Sequence, residues 1–372
     1  GQLSKYCGEE KAMELMDQVI SNFRRFHPKP EEIFCSDPQE EPEFIKPYFG
    51  LRMFPVWHIG SNFLHEIAKA WYQYLVDKGV RFEWNTEVTG INFDKNEFYF
   101  KFQYSPETGK HKGQIYEGSD FADYDELIFA VGKSGIDFAQ QLSNEYKLPT
   151  EPKSVQIGVR YEAPQKYFQK LIDISYDFKL YQKFDNVSLR SFCTNNNAAY
   201  VAVEETYGDI TYNGHAKKGE EYRNDMTNFG ILMEIKGIEN PFEWSRDVVS
   251  KLQISGTGLY YSPSRNPSKT SEHELINTTK IYDLTSVRKV MGKYFNYIED
   301  FINDMNKIFE FGDDWGMYIP EVKYLSPEPL VNYTNLALNE YPNVHFVGDA
   351  LSARGITVSG AHGIYVAEYL LA

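Results

Sequence analysis

The sequence predicts an α/β protein of two domains, one of them discontinuous, and three observations carry that expectation. Two short apolar runs far apart in the chain, Glu126 to Gly132 and Val344 to Asp349, end in small residues and lead into helices, the pattern of buried strands in an α/β sheet. Between about 151 and 330 alternating strands dominate instead. At 372 residues, with 42% hydrophobic and 16% aromatic residues, the chain is too long for one ordinary core and rich enough to build more than one. The expected division is a discontinuous domain of 1–150 plus 331–372, with 151–330 inserted as a β-rich domain.

Residues 9–26 set Ala12, Leu15, Met16, Val19, Ile20 and Phe23 at helical spacing, and His27-Pro28 with Pro30 closes the run. A Pro/Glu-rich loop follows to about Phe49. Ser61 is an expected N-cap for a helix presenting Leu64, Ile67, Ala68, Trp71 and Leu75, with Gly79 as its stop. From Val80 the period becomes strand-like, giving 80–84, 86–93 and 97–104, a turn at Pro106-Glu107-Thr108-Gly109 and a further strand near 114–117, together an antiparallel meander. After the apolar run at Glu126 a helix is expected near Gly135. The middle of the chain offers strands at 155–162, 187–193, 199–204 and 227–236, helices near 242–253 and 293–309, and a polar loop, Ser262 to Lys269, suited to a lid. The tail closes with the strand at Val344 and a small-residue-rich helix over 358–371.

Acids outnumber bases by 53 to 38, a net charge of −15, and no basic cluster interrupts them, so neither nucleic acid nor an anionic membrane is an expected partner. The 3 cysteines, Cys7, Cys35 and Cys193, form no C-x-x-C pair, which speaks against a disulfide framework or a zinc site and for a reducing cytoplasm. No metal is expected. No apolar run reaches bilayer length, and the start lacks the basic flank and hydrophobic stretch of a signal peptide.

The chemistry-bearing stretch is Gly348-Asp349-Ala350, then Arg354-Gly355-Ile356-Thr357-Val358-Ser359-Gly360-Ala361-His362-Gly363. A strand delivers a carboxylate at its carboxyl end, where ligands of open α/β sheets bind, and the helix after it begins without bulk. Ser359, Gly363 and Ala367 share one helical face, so the helix can approach a strand or a flat ligand closely. Its N-terminus would direct unpaired N–H groups at an anion.

These residues resemble the C-terminal FAD-binding motif of two-domain flavoproteins of the glutathione-reductase-like superfamily. Leu127-Ile128-Phe129-Ala130-Val131-Gly132 resembles the same superfamily's alanine-threonine-glycine motif, with Val131 in place of the threonine. The similarity extends to the bacterial family of uncharacterised FAD-dependent dehydrogenases through His58-Ile59-Gly60-Ser61, Ile157 to Glu162, Tyr176-Asp177-Phe178-Lys179, Leu189-Arg190-Ser191-Phe192-Cys193, Asn213-Gly214-His215, Thr227-Asn228-Phe229 and Glu321-Val322-Lys323-Tyr324.

The resemblance implies an FAD-type Rossmann-like cofactor domain with an inserted substrate domain, and a flavin-dependent oxidoreductase acting on a small molecule, with a nicotinamide or a protein as its electron partner. Asp349 would accept hydrogen bonds from the ribityl chain. Ile356, Thr357 and Val358 would offer backbone groups to the pyrimidine edge of the flavin, with Ala130, Val131, Gly132, Gly348, Arg354 and Gly355 around it. One departure stands out: the family's opening strand and G-x-G-x-x-G turn have no counterpart here. The resemblance therefore implies a chain without that glycine-rich opening, which weakens the site for the pyrophosphate.

Each candidate has an ordinary alternative. Lys179 and Arg190, with Arg160 and Lys323, either line a site for an anionic substrate or form structural ion pairs with Glu162, Glu204 or Glu321. His58, His215 and His362 are acid/base candidates or satisfied structural rings, and Cys193 is a redox thiol or a small core residue. Arg354 is a cofactor contact or a solvated loop charge. The competing function is a cofactor-free fragment that serves as a ligand-binding or scaffold module.

Overall fold

The computed structural model describes residues 3–37, 39–105, 114–151, 153–264, 277–325, 327–353 and 355–372. It is a mixed α/β chain that divides into two compact units, the first formed by Gly1–Phe26, Glu66–Glu151 and Ser326–Ala372, the second by His27–His65 and Pro152–Leu325. His27–His65, expected in the first domain, belongs to the second unit because its strand Gly50–Arg52 pairs with Lys179–Lys183 at the edge of the large sheet. Such a short strand carries no periodicity of its own.

In the first unit, the strands Leu127–Phe129 and Val344–Phe346 pair in parallel, with Phe346 opposite Phe129. The pairing follows from their composition, since short apolar strands are stable when covered, and Phe129, Val344 and Phe346 are buried with Leu142, Leu336 and Val366 in one core. The helix Ile136–Glu145 follows the first strand and the helix Ile356–Leu371 the second. Ser4–Phe26, interrupted at Gly8 where φ is 79°, buries Ala12, Leu15 and Val19 against Ala361 of the last helix. A methyl group at Gly360 would stand only 3.1 Å from Val19, so the missing side chain there is what lets the helices approach. The meander is Thr86–Asn92, Glu97–Tyr104 and Tyr116–Asp123, antiparallel throughout.

Residues 80–84 are not a strand: Phe82 and Trp84 stack on each other beside Tyr72 instead of extending into a ladder. Nor does Ser61 cap a helix; Ser61–Phe63 forms a 3-10 turn ahead of the helix Leu64–Asp77, whose Ala68 is exposed. Gly79, at φ 89°, ends that helix as expected. The turn at 106–109 lies outside the described residues, as do 265–269 of the expected lid loop.

The second unit is built on an eight-stranded sheet in the order Thr278–Ile281, Gly258–Tyr261, Gly316–Lys323, Val155–Pro164, Met226–Ile235, Val187–Asn197, Lys179–Lys183, Gly50–Arg52. Only the first pair is parallel. The helix Lys293–Phe309 buries Phe295, Ile298, Phe301, Ile302, Met305 and Phe309 from a single 3.6-residue stripe. Val155–Pro164 is buried along nearly its whole length, the mark of a strand covered on both faces.

Candidate functional site

The first unit brings two of the sequence motifs to one place. Because Leu127–Phe129 and Val344–Phe346 run in parallel and in register, Ala130-Val131-Gly132 and Gly348-Asp349 emerge at the same carboxyl end of the pair, and Val347 N–H still bonds the Phe129 carbonyl at 3.2 Å. Both segments then turn sharply: Gly132 has φ 64° and Gly348 φ 62°, conformations that glycine adopts without a Cβ penalty. Ala130 is exposed, Val131, Gly132 and Asp349 are half-buried, and Gly348 is buried.

Gly355, at φ 105°, is the N-cap of the last helix, and no side chain caps it. Ile356 is exposed and Thr357 and Val358 are half-buried at the helix start, where N–H groups look for acceptors. Arg354 lies outside the described residues. Ser359 Oγ bonds the Ala353 carbonyl at 3.2 Å, closing the loop onto the helix.

Beneath this turn lies His362, one of the three histidines that the sequence offers as acid/base candidates or satisfied structural rings. The Gly348 N–H donates to His362 Nδ1 at 3.3 Å, while His362 Nε2 is buried with no partner among the described residues. The ring meets Tyr6 edge-on at 5.5 Å, and the Tyr6 hydroxyl donates to Glu328 at 2.8 Å, a carboxylate that Lys5 also grips. Burial depresses His362 to about 4, with Glu328 pulling it up and Lys5 pushing it down. Tyr6 is raised well beyond its usual range by burial and then by Glu328. His362 is therefore neutral near pH 7 and fixes the Gly348 turn as an acceptor.

In the second unit Lys179 and Arg190 share one face of the sheet. Lys179 stands opposite Arg52 and Tyr181 opposite Arg190, and Lys179 and Tyr181 alternate with buried Leu180, so Arg52, Lys179, Tyr181 and Arg190 all project from the same side. They line a cavity of about 430 Å³ with Phe54, Phe184, Glu234 and Lys236. Lys179 is ion-paired with Asp177 at 2.5 Å. Arg52 lies over the Tyr181 ring at 5.1 Å. Arg190 reaches Gln156 at 3.4 Å and is lowered by burial, Glu234 acting against the shift and Arg52 with it.

His58 is not among the residues lining this cavity; it is bonded to Ser36 Oγ at 2.8 Å and packed between Phe34 at 4.6 Å and Tyr176 at 4.1 Å. Burial and then Lys218 depress it to about 4, against Asp177. Asp177 is the link: its charge is felt at His58, and its carboxylate accepts from Lys179 and from Thr194 N–H.

Arg160 and Glu321, in contrast, form a buried structural network. The guanidinium bonds both Glu321 oxygens at 3.3 Å, Asn228 Oδ1 at 3.1 Å and the Cys193 carbonyl at 2.8 Å. Lys323 lies over the Phe192 ring at 4.1 Å. Cys193 is exposed, so it is not a core residue, and burial lowers His215.

Sequence reading missed Arg52, Tyr181 and Asp177. Arg52 ends a three-residue strand that gives no periodic signal, and Tyr181 lies in a five-residue strand, Lys179–Lys183, that was not among the expected ones. Among the described residues no cluster of His, Cys, Asp or Glu has the arrangement of a metal site, and no helix is long and apolar enough to cross a membrane. No protein-family model matches the chain, and no curated protein matches it.

Proposed function

We propose that this chain is an oxidoreductase of a small-molecule substrate that works through FAD, its first unit being a Rossmann-like cofactor domain. The observation supporting this reading is the parallel pairing of Leu127–Phe129 with Val344–Phe346, which sets two glycine-bearing turns, a carboxylate and an uncapped helix start at one sheet end. FAD, when bound, supplies hydride or electron transfer. Asp349 would accept hydrogen bonds from the ribityl hydroxyls, and Ile356, Thr357 and Val358 would offer their N–H groups to the pyrimidine edge. The positive end of the Ile356–Leu371 dipole favours negative charge at that edge. Gly348 and Gly355 keep side-chain bulk away from the ring system. A nicotinamide or a protein serves as the electron partner, in the cytoplasm.

The residues fit the flavin half of the cofactor better than its pyrophosphate half. The sequence's single G-x-G, Gly256-Thr257-Gly258, forms a tight turn in which Ile254 and Thr257 bond each other, and it leads into the strand Gly258–Tyr261 of the second unit. It precedes no helix, so it offers no phosphate-binding N-terminus. That observation favours the second reading, a cofactor-free ligand-binding or scaffold module.

The visible absorption spectrum of the purified protein, with mass spectrometry of the small molecule released on denaturation, separates the two. Flavin bands with FAD in the supernatant are expected, and Asp349→Ala should lower the flavin content at unchanged circular dichroism. A colourless protein that fails to take up added FAD would leave only the cofactor-free module.

A further inference from the structure

We propose that the second unit carries an oxyanion-binding site on the polar face of its large sheet, where Arg52 and Arg190 together hold the carboxylate or phosphate of a small organic ligand whose apolar body lies against Phe54, Tyr181 and Phe184. The inference goes beyond the flavin reading and stands or falls without it.

The first argument is charge. The cavity is lined by Arg52, Lys179, Lys183, Arg190 and Lys236 against Asp185 and Glu234, a local reversal of sign in a chain whose net charge is −15. Much of the acidic charge is already engaged: Glu234 accepts from Ser154 at 2.8 Å and Ser188 at 3.4 Å. Lys179 is held by Asp177. Arg52 and Arg190 are different. Among the described residues neither guanidinium is ion-paired to a carboxylate; Glu234 attracts Arg190 without pairing with it, and Arg52 acts on Arg190 as a like charge. Like charges placed side by side raise the energy of the empty arrangement and lower it when an anion bridges them.

The second argument is shape. Strand register places Arg52 beside Lys179 and Arg190 beside Tyr181, so the guanidiniums approach from two strands that flank the Tyr181 ring. Gly50, opposite Tyr181, leaves room for that ring: a methyl there would fall 2.1 Å from Tyr181 Cζ. Planar guanidinium forks match the two oxygens of a carboxylate or phosphate, and the exposed faces of Phe54 and Phe184 offer apolar cover. At about 430 Å³ the cavity falls within the usual size of small-ligand sites. A merely solvated sheet face has no reason to gather unpaired arginines around an aromatic ring.

Titration calorimetry of the purified full chain tests this with benzoate, phenyl phosphate, inorganic phosphate and the neutral benzyl alcohol. Benzoate or phenyl phosphate should bind more tightly than inorganic phosphate, and benzyl alcohol should give no saturable heat; which aromatic anion is preferred identifies the oxyanion. Arg190→Gln and Arg52→Gln should each weaken binding about ten- to hundredfold, the loss expected for one charge-assisted hydrogen-bonded pair. Arg190→Lys should restore part of it, which guards against a folding defect. Lys289→Gln, remote in sequence from the cavity lining, should change nothing. Binding that is equal for the neutral analogue, unmoved by both Gln variants, or absent for every anion would overturn the proposal. Loss of flavin from the same preparation would not bear on it.

Discussion

The backbone N–H of Gly348 donates to Nδ1 of His362 across 3.3 Å, so the turn that presents Asp349 rests on a neutral imidazole. Burial depresses the ring from 6.5 to about 4, with Glu328 acting against the shift and Lys5 with it. The sign follows. The unfolded chain takes up this proton near pH 6.5 and the folded chain only near pH 4, so stability from this ring is full above about pH 6.5 and is lost as pH falls through that window. The loss amounts to roughly 3 kcal/mol at full shift. His58, also held near 4, acts in the same direction. Urea unfolding at pH 7 and pH 4.5 should show a larger drop for the wild type than for His362→Asn, whose amide oxygen can still accept from Gly348. Equal drops would mean that His362 does not titrate as argued.

Two glycines near this turn should respond in opposite senses to alanine. Gly348 is at φ 62° and an added methyl would meet Ser359 at 3.3 Å, so Gly348→Ala carries backbone strain of about 1 kcal/mol or more. Gly363 is inside the helix Ile356–Leu371 with nothing within 4 Å of an added Cβ, so Gly363→Ala should stabilise by up to about 1 kcal/mol. Thermal melts of the single variants check the pair. A Gly348→Ala protein as stable as wild type would show that the turn relaxes freely.

The elements with a strong period were legible in the sequence. Phe295, Ile298, Phe301, Ile302 and Met305 mark the helix Lys293–Phe309, and its bounds match the expectation at both ends. The strand ends at Ala130 and Gly348 were also visible, because small residues after an apolar run are a local signal. Their meeting was not, since parallel pairing across so long a stretch of chain leaves no mark in either segment. The same holds for Arg52, whose neighbours Lys179 and Arg190 become neighbours only through the ladder. Val80 to Trp84 misled for a physical reason: alternating apolar residues suit a strand, but here Phe82 and Trp84 find each other and Tyr72 instead of a partner strand.

The buried Arg160–Glu321 pair should be intolerant of single changes and more tolerant of a double one. Arg160 is fully buried and Glu321 nearly so, and burial raises Glu321 against the pull of Arg160 and Lys323. Arg160→Met alone leaves a carboxylate in the core without its partner and should cost about 3–5 kcal/mol. Arg160→Met with Glu321→Met removes both charges and should recover a large part of that loss. Urea midpoints of the two single variants and the double variant give the coupling directly. A strictly additive double variant would show that the ion pair is not the unit of stability here.

Gly50→Ala separates the fold of the second unit from its proposed ligand site. The added methyl would collide with the far end of Tyr181, a side chain able to swing aside, so the stability change should stay within about 1 kcal/mol. The swing nevertheless takes the ring from under Arg52, whose guanidinium it supports at 5.1 Å, and so disturbs the spacing of Arg52 and Arg190. Benzoate or phenyl phosphate affinity should therefore fall in Gly50→Ala although the melting temperature barely moves. Tyr181→Phe keeps the ring and its cation–π contact and should bind nearly as wild type does. If affinity and stability fall together in Gly50→Ala, the ring is needed for the sheet edge rather than for aiming Arg52.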